Sequence, residues 1–148
     1  LPIGVEKIDL LSKCVEEMRL KGAIEEVALP MSRSFLSRLF LVPKGETQMR
    51  PVIDLSFLNK FIDIKKFKME TINSVLQSIK PNQFMTSIDL KDAYFQVPIH
   101  PMSRHLLRFS WMGTVFQFKA LPFGLNTAPY IFTKIMESIS IKAHRQGI

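Results

Sequence analysis

The run Thr86 to Pro98, TSIDLKDAYFQVP, constrains this chain more than any other stretch. Its apolar lead-in predicts a short strand from Phe84 to Asp89, and Asp92 opens a helical turn that Pro98 ends. A carboxylate closing an apolar strand needs a partner or a metal, because an unpaired charge taken out of water is costly. Two readings of Asp89 therefore stand side by side: a metal ligand, or a turn former or helix cap. Tyr94 and Phe95 sit within the following turn, and by residue type alone they are ordinary core aromatics.

The other elements follow from periodicity. Ile8, Leu11, Val15 and Met18 fall at helical spacing, predicting a helix over Ile8 to Lys21 with Gly22 as its C-terminal cap. Cys14 lies beside that stripe as a small core residue. Ser37 to Lys44 and Arg50 to Leu55 read as paired strands around a polar turn, 44–47. Pro51 stands near the start of its strand, where a lost donor matters least. Ile72, Val75, Leu76 and Ile79 mark a second helix, capped by Thr71 and closed by Pro81. Leu106 to Trp111 and Thr114 to Lys119 flank Met112-Gly113 as a β-hairpin. Thr127 to Ala143 reads as a final helix with Ile131, Ile135, Met136 and Ile139 on one face. Helices and strands mix without strict alternation, which defines an α+β domain.

Composition narrows the class. The chain has 148 residues, 47% hydrophobic and 22% charged, enough for one folded domain and unlike a disordered segment. Net charge of +7 favours a polyanionic partner such as nucleic acid. One cysteine makes no internal disulfide, so a reducing, intracellular setting is expected. No apolar run approaches the roughly 18 residues of a membrane span, so no membrane partner is expected. The lack of an initiator Met and the stop at Ile148 suggest a piece of something larger.

Several groups invite a functional reading beside a bland one. Lys44 and Arg50 flank one turn, so they form either a phosphate clamp or a solvated basic hairpin. Gly124 permits close backbone approach, or simply completes a Pro-Gly turn. Lys65, Lys66 and Lys68 make a basic cluster suited to phosphates. His100, His105 and His144 have no metal-ligand spacing and read as surface or structural residues.

The strings MRPVIDLSFLNK, SIDLKDAYFQVPI and LPFGLNTAPYIF, in that order over Ser37 to Met136, resemble the reverse transcriptase domain of retroelements. The wording SRLFLVPK, RPVIDLSFLNK, FKMET and TSIDLKDAY is most similar to DIRS-type elements, near the gypsy-type group. The resemblance implies a right-hand polymerase fold with a ferredoxin-like palm. Fingers would occupy about 1–64 and 97–127, and an incomplete palm about 65–96 and 128–148. It implies that Asp89 and the backbone carbonyl of Leu90 bind magnesium, two ions being expected in the complete site. Hard cations of this kind take oxygen ligands and stabilise attacking and leaving oxygens. It further implies that Lys44 and Arg50 hold a deoxynucleoside triphosphate and that the N–H groups of Asp92 and Ala93 meet its phosphates. Tyr94 would be the steric gate against a 2′-hydroxyl. Phe123 and Gly124 would line the nucleotide and template side, where some relatives carry Gln in place of Phe123. Lys65, Lys66 and Lys68 would contact template phosphates.

One departure bears on activity. The family's second metal element contains an Asp-Asp pair, and none occurs in these 148 residues. The resemblance therefore implies a fragment, inactive by itself, of a retrotransposon RNA-directed DNA polymerase. Its partners would be a primed RNA or DNA template, deoxynucleotides and the rest of a polyprotein: remaining palm, thumb and RNase H. Two alternatives remain, a domesticated or decayed nucleic-acid-binding module and an unrelated α+β nucleotide- or RNA-binding domain.

Overall fold

The molecule was studied as a computed structural model that describes residues 5–28, 35–45, 48–69 and 71–146. In chain order the elements are α1 (Val5–Leu20), β1 (Ile24–Glu26), β2 (Leu36–Ser37), β3 (Leu39–Lys44), β4 (Gln48–Ile53), α2 (Ile72–Ser78), β5 (Arg108–Trp111), β6 (Thr114–Phe118) and α3 (Ala128–Arg145). Short 3-10 turns cover Leu58–Phe61, Ala93–Gln96 and Pro101–Leu106. The mixture is α+β, as the pattern of the sequence predicts.

Helix α1 forms because its apolar residues recur on one face: Leu11, Val15 and Met18 are buried, while Ile8 at the open end stays in water. It stops at a Schellman cap. The N–H of Gly22 donates to Arg19 O at 3.0 Å and that of Ala23 to Met18 O at 2.9 Å. Gly22 adopts φ +68°, which that cap requires. Cys14 is half-buried, and burial pushes its thiol above the ordinary range, so the reactive thiolate is disfavoured.

A four-stranded sheet runs in the order β1-β6-β5-β2, with β2 parallel to β5 and the other pairs antiparallel. β5 and β6 turn over Met112 (φ 47°) and Gly113 (φ 79°), the two positive φ values of a type I′ hairpin. Phe109 is fully buried between Phe116 and Phe118, each ring centroid 5.6 Å away. Val15 and Met18 of α1 join this core from one side, and Ile53 and Leu55 enter it from the β3–β4 hairpin. That hairpin forms a separate two-stranded sheet. Its base is therefore anchored in the core through Leu39 and Ile53. Glu46 and Thr47, the far half of the expected turn, lie outside the described residues.

Three expectations need correction. Phe84 to Asp89 is not a strand: it has no regular structure, every residue is exposed, and Phe84 and Ile88 stand fully or largely in water. An extended segment becomes a strand only when another edge takes up its hydrogen bonds, and among the described residues none pairs with it. Leu106 and Leu107 end a 3-10 turn before β5 begins at Arg108. The apolar stripes expected to be core on α2 and α3 are only partly covered; Ile72, Leu76, Ile135 and Ile139 are exposed.

Candidate active site

The β3–β4 register pairs Val42 with Arg50 and Lys44 with Gln48. Side chains alternate along a strand, so Lys44, Val42 and Arg50 share one face of the hairpin. Two cations on one face near the tip suit a polyphosphate. The guanidinium carbon of Arg50 lies 4.5 Å from the centroid of the Phe123 ring. That cation–π contact fixes where the charge sits while leaving its N–H donors available.

Phe123 belongs to the segment Leu121 to Gly124, which docks directly on β4. The Ile53 N–H donates to Phe123 O at 3.1 Å. Gly124 adopts φ +114°, and a Cβ there would overlap the Ile53 carbonyl oxygen. The close approach this glycine allows is thus to the strand behind it. Asn59 locks the same loop: its Nδ2 donates to Gly124 O at 2.8 Å, and its Oδ1 accepts from Asn126 N at 3.1 Å. Asn126 Nδ2 returns a bond to Asn59 O at 3.1 Å. The loop is thus tied both to β4 and to the 3-10 turn Leu58–Phe61.

Tyr94, in the 3-10 turn Ala93–Gln96, stacks on Phe123 with centroids 5.0 Å apart and planes 29° from parallel. Phe132 of α3 backs it at 5.5 Å. Burial raises the Tyr94 hydroxyl above its ordinary range, against an opposing pull from Arg50, so the ring stays neutral. Arg50, Phe123 and Tyr94 therefore form one continuous stack from a cation to a half-buried ring. Asp92 precedes the turn in the left-handed region, φ 53° and ψ 38°, and its Oδ2 lies 2.9 Å from Lys21 Nζ. Ala93 follows at the start of the turn, half-buried.

The remaining expected residues lie apart from that stack. Asp89 and Leu90 are exposed in the irregular segment, and Asp89 has no hydrogen bond or ion pair among the described residues. No group of three or more His, Cys, Asp or Glu side chains that could hold a metal ion occurs among the described residues. One carboxylate and one carbonyl do not make a two-magnesium centre, so the residues present do not by themselves fit that cofactor. Lys65, Lys66 and Lys68 are exposed, and Lys65 Nζ stands 5.9 Å from the Tyr130 ring at the start of α3.

Sequence reasoning missed Lys21, Asn59, Asn126 and Phe132. Asn59 stands inside the string MRPVIDLSFLNK, but nothing local shows that it holds Gly124. Lys21 and Phe132 meet their partners only through the tertiary fold.

The same fold occurs in foamy virus protease-reverse transcriptase. A structure of that protein in complex with dsDNA matches 90% of this chain and 27% of its own length, with TM-score 0.75 and 20% identity. The native prototype foamy virus enzyme matches 92% of this chain and 18% of its own length, with TM-score 0.69 and 24% identity. The fold is thus the one found in reverse-transcribing polymerases. Residues 42–147 match the family Reverse transcriptase (RNA-dependent DNA polymerase), and the chain belongs to that family.

Relatives in sequence include the transposon Tf2-3 polyprotein of Schizosaccharomyces pombe, 31% identical over 68% of this chain and 8% of its own length. The enzymatic polyprotein of Cestrum yellow leaf curling virus is 30% identical over 93% of this chain and 22% of its length. A retrovirus-related Pol polyprotein from transposon opus of Drosophila melanogaster is 28% identical over 93% and 14%. The chain spans less than a quarter of each of these polyproteins.

Proposed function

We propose that the protein supplies the fingers and part of the palm of an intracellular retrotransposon RNA-directed DNA polymerase, of the DIRS-type or gypsy-like group. The observation that carries this reading is the stack of Arg50, Phe123 and Tyr94, which sets a cation for phosphate beside a ring for sugar. In this reading Lys44 and Arg50 neutralise the triphosphate of an incoming deoxynucleotide, and the N–H groups of Asp92 and Ala93 complete its cradle. In this reading Tyr94, which packs against Phe123 and Phe132, is the steric gate against a 2′-hydroxyl. Catalysis of this kind rests on positioning and charge neutralisation. In this reading the exposed lysines 65, 66 and 68 meet template phosphates.

Asp89 and the Leu90 carbonyl would contribute oxygen ligands to magnesium. The other carboxylates are not supplied by a metal-binding group among the described residues. The reading therefore includes that the 148 residues alone do not polymerise.

Calorimetric titration of the chain with dATP and ATP tests the nucleotide assignment. Arg50→Ala is expected to weaken dATP binding by roughly 10- to 150-fold, since one charge-assisted hydrogen bond contributes about 1.5–3 kcal/mol. Equal dATP affinity in wild type and Arg50→Ala would overturn it.

A further inference from the structure

Residues 97–99 and 119–121 run side by side as a short antiparallel ladder. The Ile99 N–H donates to Lys119 O at 2.7 Å, the Leu121 N–H donates to Val97 O at 2.8 Å, and Pro98 bridges Ala120 between them. Both segments join the candidate site directly. Tyr94 comes just before the ladder, held by the Val97 N–H, which donates to Tyr94 O at 3.1 Å. Phe123 comes just after it. The same register, carried one step further, sets Phe95 opposite Phe123, and those two rings meet with centroids 6.0 Å apart. A slip of one residue would turn every side chain to the other face, so the ladder decides which part of the Tyr94 turn meets Phe123.

Glu25 of β1 touches both sides of that ladder. Its Oε2 lies 3.8 Å from Lys119 Nζ, and its Oε1 accepts from Arg104 Nη1 at 3.0 Å. Arg104 also donates from Nε to Ile99 O at 3.1 Å. One carboxylate therefore grips residue 119 directly and residue 99 through a guanidinium. Gln117 Nε2 donates to the same Oε1 at 2.8 Å, and Arg108 Nε donates to Gln117 Oε1 at 3.0 Å, which ties the cluster across β1, β6 and β5. Glu25 and Gln117 alternate with the buried Ile24, Phe116 and Phe118, so they stand on the sheet face away from the core. The Arg104 side chain is only 20% exposed, and its loss would take the donor from Ile99 O.

We propose that Arg104 and Glu25 are positioning residues for nucleotide selection: from the far face of the sheet they fix the register of the ladder, and the ladder fixes the stack of Tyr94 on Phe123. Neither residue touches that stack. Arginine suits the task because its planar fork serves two acceptors at once, a carboxylate and a backbone carbonyl. The link to nucleotide selection rests on the function proposed above; the hold of Arg104 on the ladder does not.

The test is amide hydrogen exchange of the chain read by NMR, with calorimetric titration of dATP and ATP on the same samples. Arg104→Met is expected to speed exchange of the Ile99 and Leu121 N–H groups roughly 10- to 150-fold, the equivalent of one hydrogen bond to a charged group. The Val27 N–H, which donates to Val115 O at the other end of β6, is the control and should change less than about twofold. The dATP over ATP affinity ratio should narrow by roughly 2- to 30-fold, the range over which residues remote from a site alter it. Arg104→Lys keeps a charge against Glu25, and with it the fold, but lacks the fork, so the same pattern is expected at smaller size. Wild-type exchange at Ile99 and Leu121 in both variants overturns the proposal. Equal speeding at Val27 overturns it too, by making Arg104 a general support of the sheet. A wild-type nucleotide ratio beside a loosened ladder would refute the positioning role. If the wild-type chain binds neither nucleotide, the polymerase reading falls, and exchange at Ile99 and Leu121 still decides whether Arg104 holds the ladder.

Discussion

Lys21 Nζ lies 2.9 Å from Asp92 Oδ2, joining the end of α1 to a residue held at positive φ ahead of Tyr94. A non-glycine residue in the left-handed region costs about 1–2 kcal/mol, and a half-exposed ion pair contributes only about 0–1 kcal/mol. The pair is therefore worth little to global stability and offsets only part of that cost. Lys21→Ala is expected to leave the melting temperature within a few degrees and weaken dATP binding several-fold, while Lys21→Arg retains it. Thermal denaturation and calorimetry on the same samples separate the two effects. Unchanged dATP affinity would show that Asp92 holds its conformation unaided.

Phe123 touches both Arg50 and Tyr94, so its removal has two consequences. Phe123→Ala is expected to weaken dATP binding by about 0.5–2 kcal/mol, the range of a cation–π interaction, and to narrow the dATP over ATP preference. Tyr94→Ala should narrow that preference further with little change in dATP affinity. Titration of both nucleotides gives the ratio directly. A ratio untouched by either substitution would remove Tyr94 from sugar selection.

Gly124→Ala is expected to destabilise the chain by more than about 2 kcal/mol, because the new methyl group meets the Ile53 carbonyl at a strained φ. Gly45, at φ +68°, is the control: nothing lies within 4 Å of its Cβ position, so Gly45→Ala bears only the conformational cost of about 1 kcal/mol. Urea denaturation of the two variants decides the matter, and equal destabilisation would refute the packing argument.

Acid should loosen the sheet. Glu25 accepts from Gln117 Nε2 at 2.8 Å and pairs with Arg104 at 3.0 Å. The Gln117 bond, then Arg104 and Lys119, hold its carboxyl below the ordinary range against opposing desolvation. A depressed folded pKa gives stability that is present above the ordinary glutamate value of about 4.3 and lost as pH falls through the lower folded value. Glu25→Gln is therefore expected to show a smaller drop in melting temperature than wild type between pH 6 and pH 3. Identical pH profiles would show that the network contributes nothing to folding.

Polymerisation should fail with the 148 residues alone, since Asp89 is not joined by a metal-binding group among the described residues. In a polyprotein carrying this chain, Asp89→Asn is expected to abolish primer extension without altering the fold. Primer extension by the 148-residue chain, or full activity of the Asn variant, would contradict the metal assignment.

Periodicity was a good guide wherever a single element satisfied its own hydrogen bonds. Helix α1 with its Gly22 cap and the turn at Met112-Gly113 were legible because those signals lie within a few residues. The β3–β4 pairing was legible too, since the two strands are joined by one short turn. Phe84 to Asp89 reads as a strand from its apolar residues alone, and among the described residues no edge completes it. The exposed stripes on α2 and α3 follow the same logic, because amphipathicity states which face seeks cover and not what covers it.

The sequence by itself determined the family, the α+β class and the residue types of the proposed nucleotide site. Motif order and local chemistry carry that much, for they need no knowledge of which distant segments touch. Tertiary structure alone decided that Arg50 lies over Phe123 and that Phe123 stacks on Tyr94. It also decided that Gly124 is required by Ile53, and that Lys21 reaches Asp92. Those pairings join residues far apart in the chain, and packing in three dimensions, which no local propensity encodes, selects them.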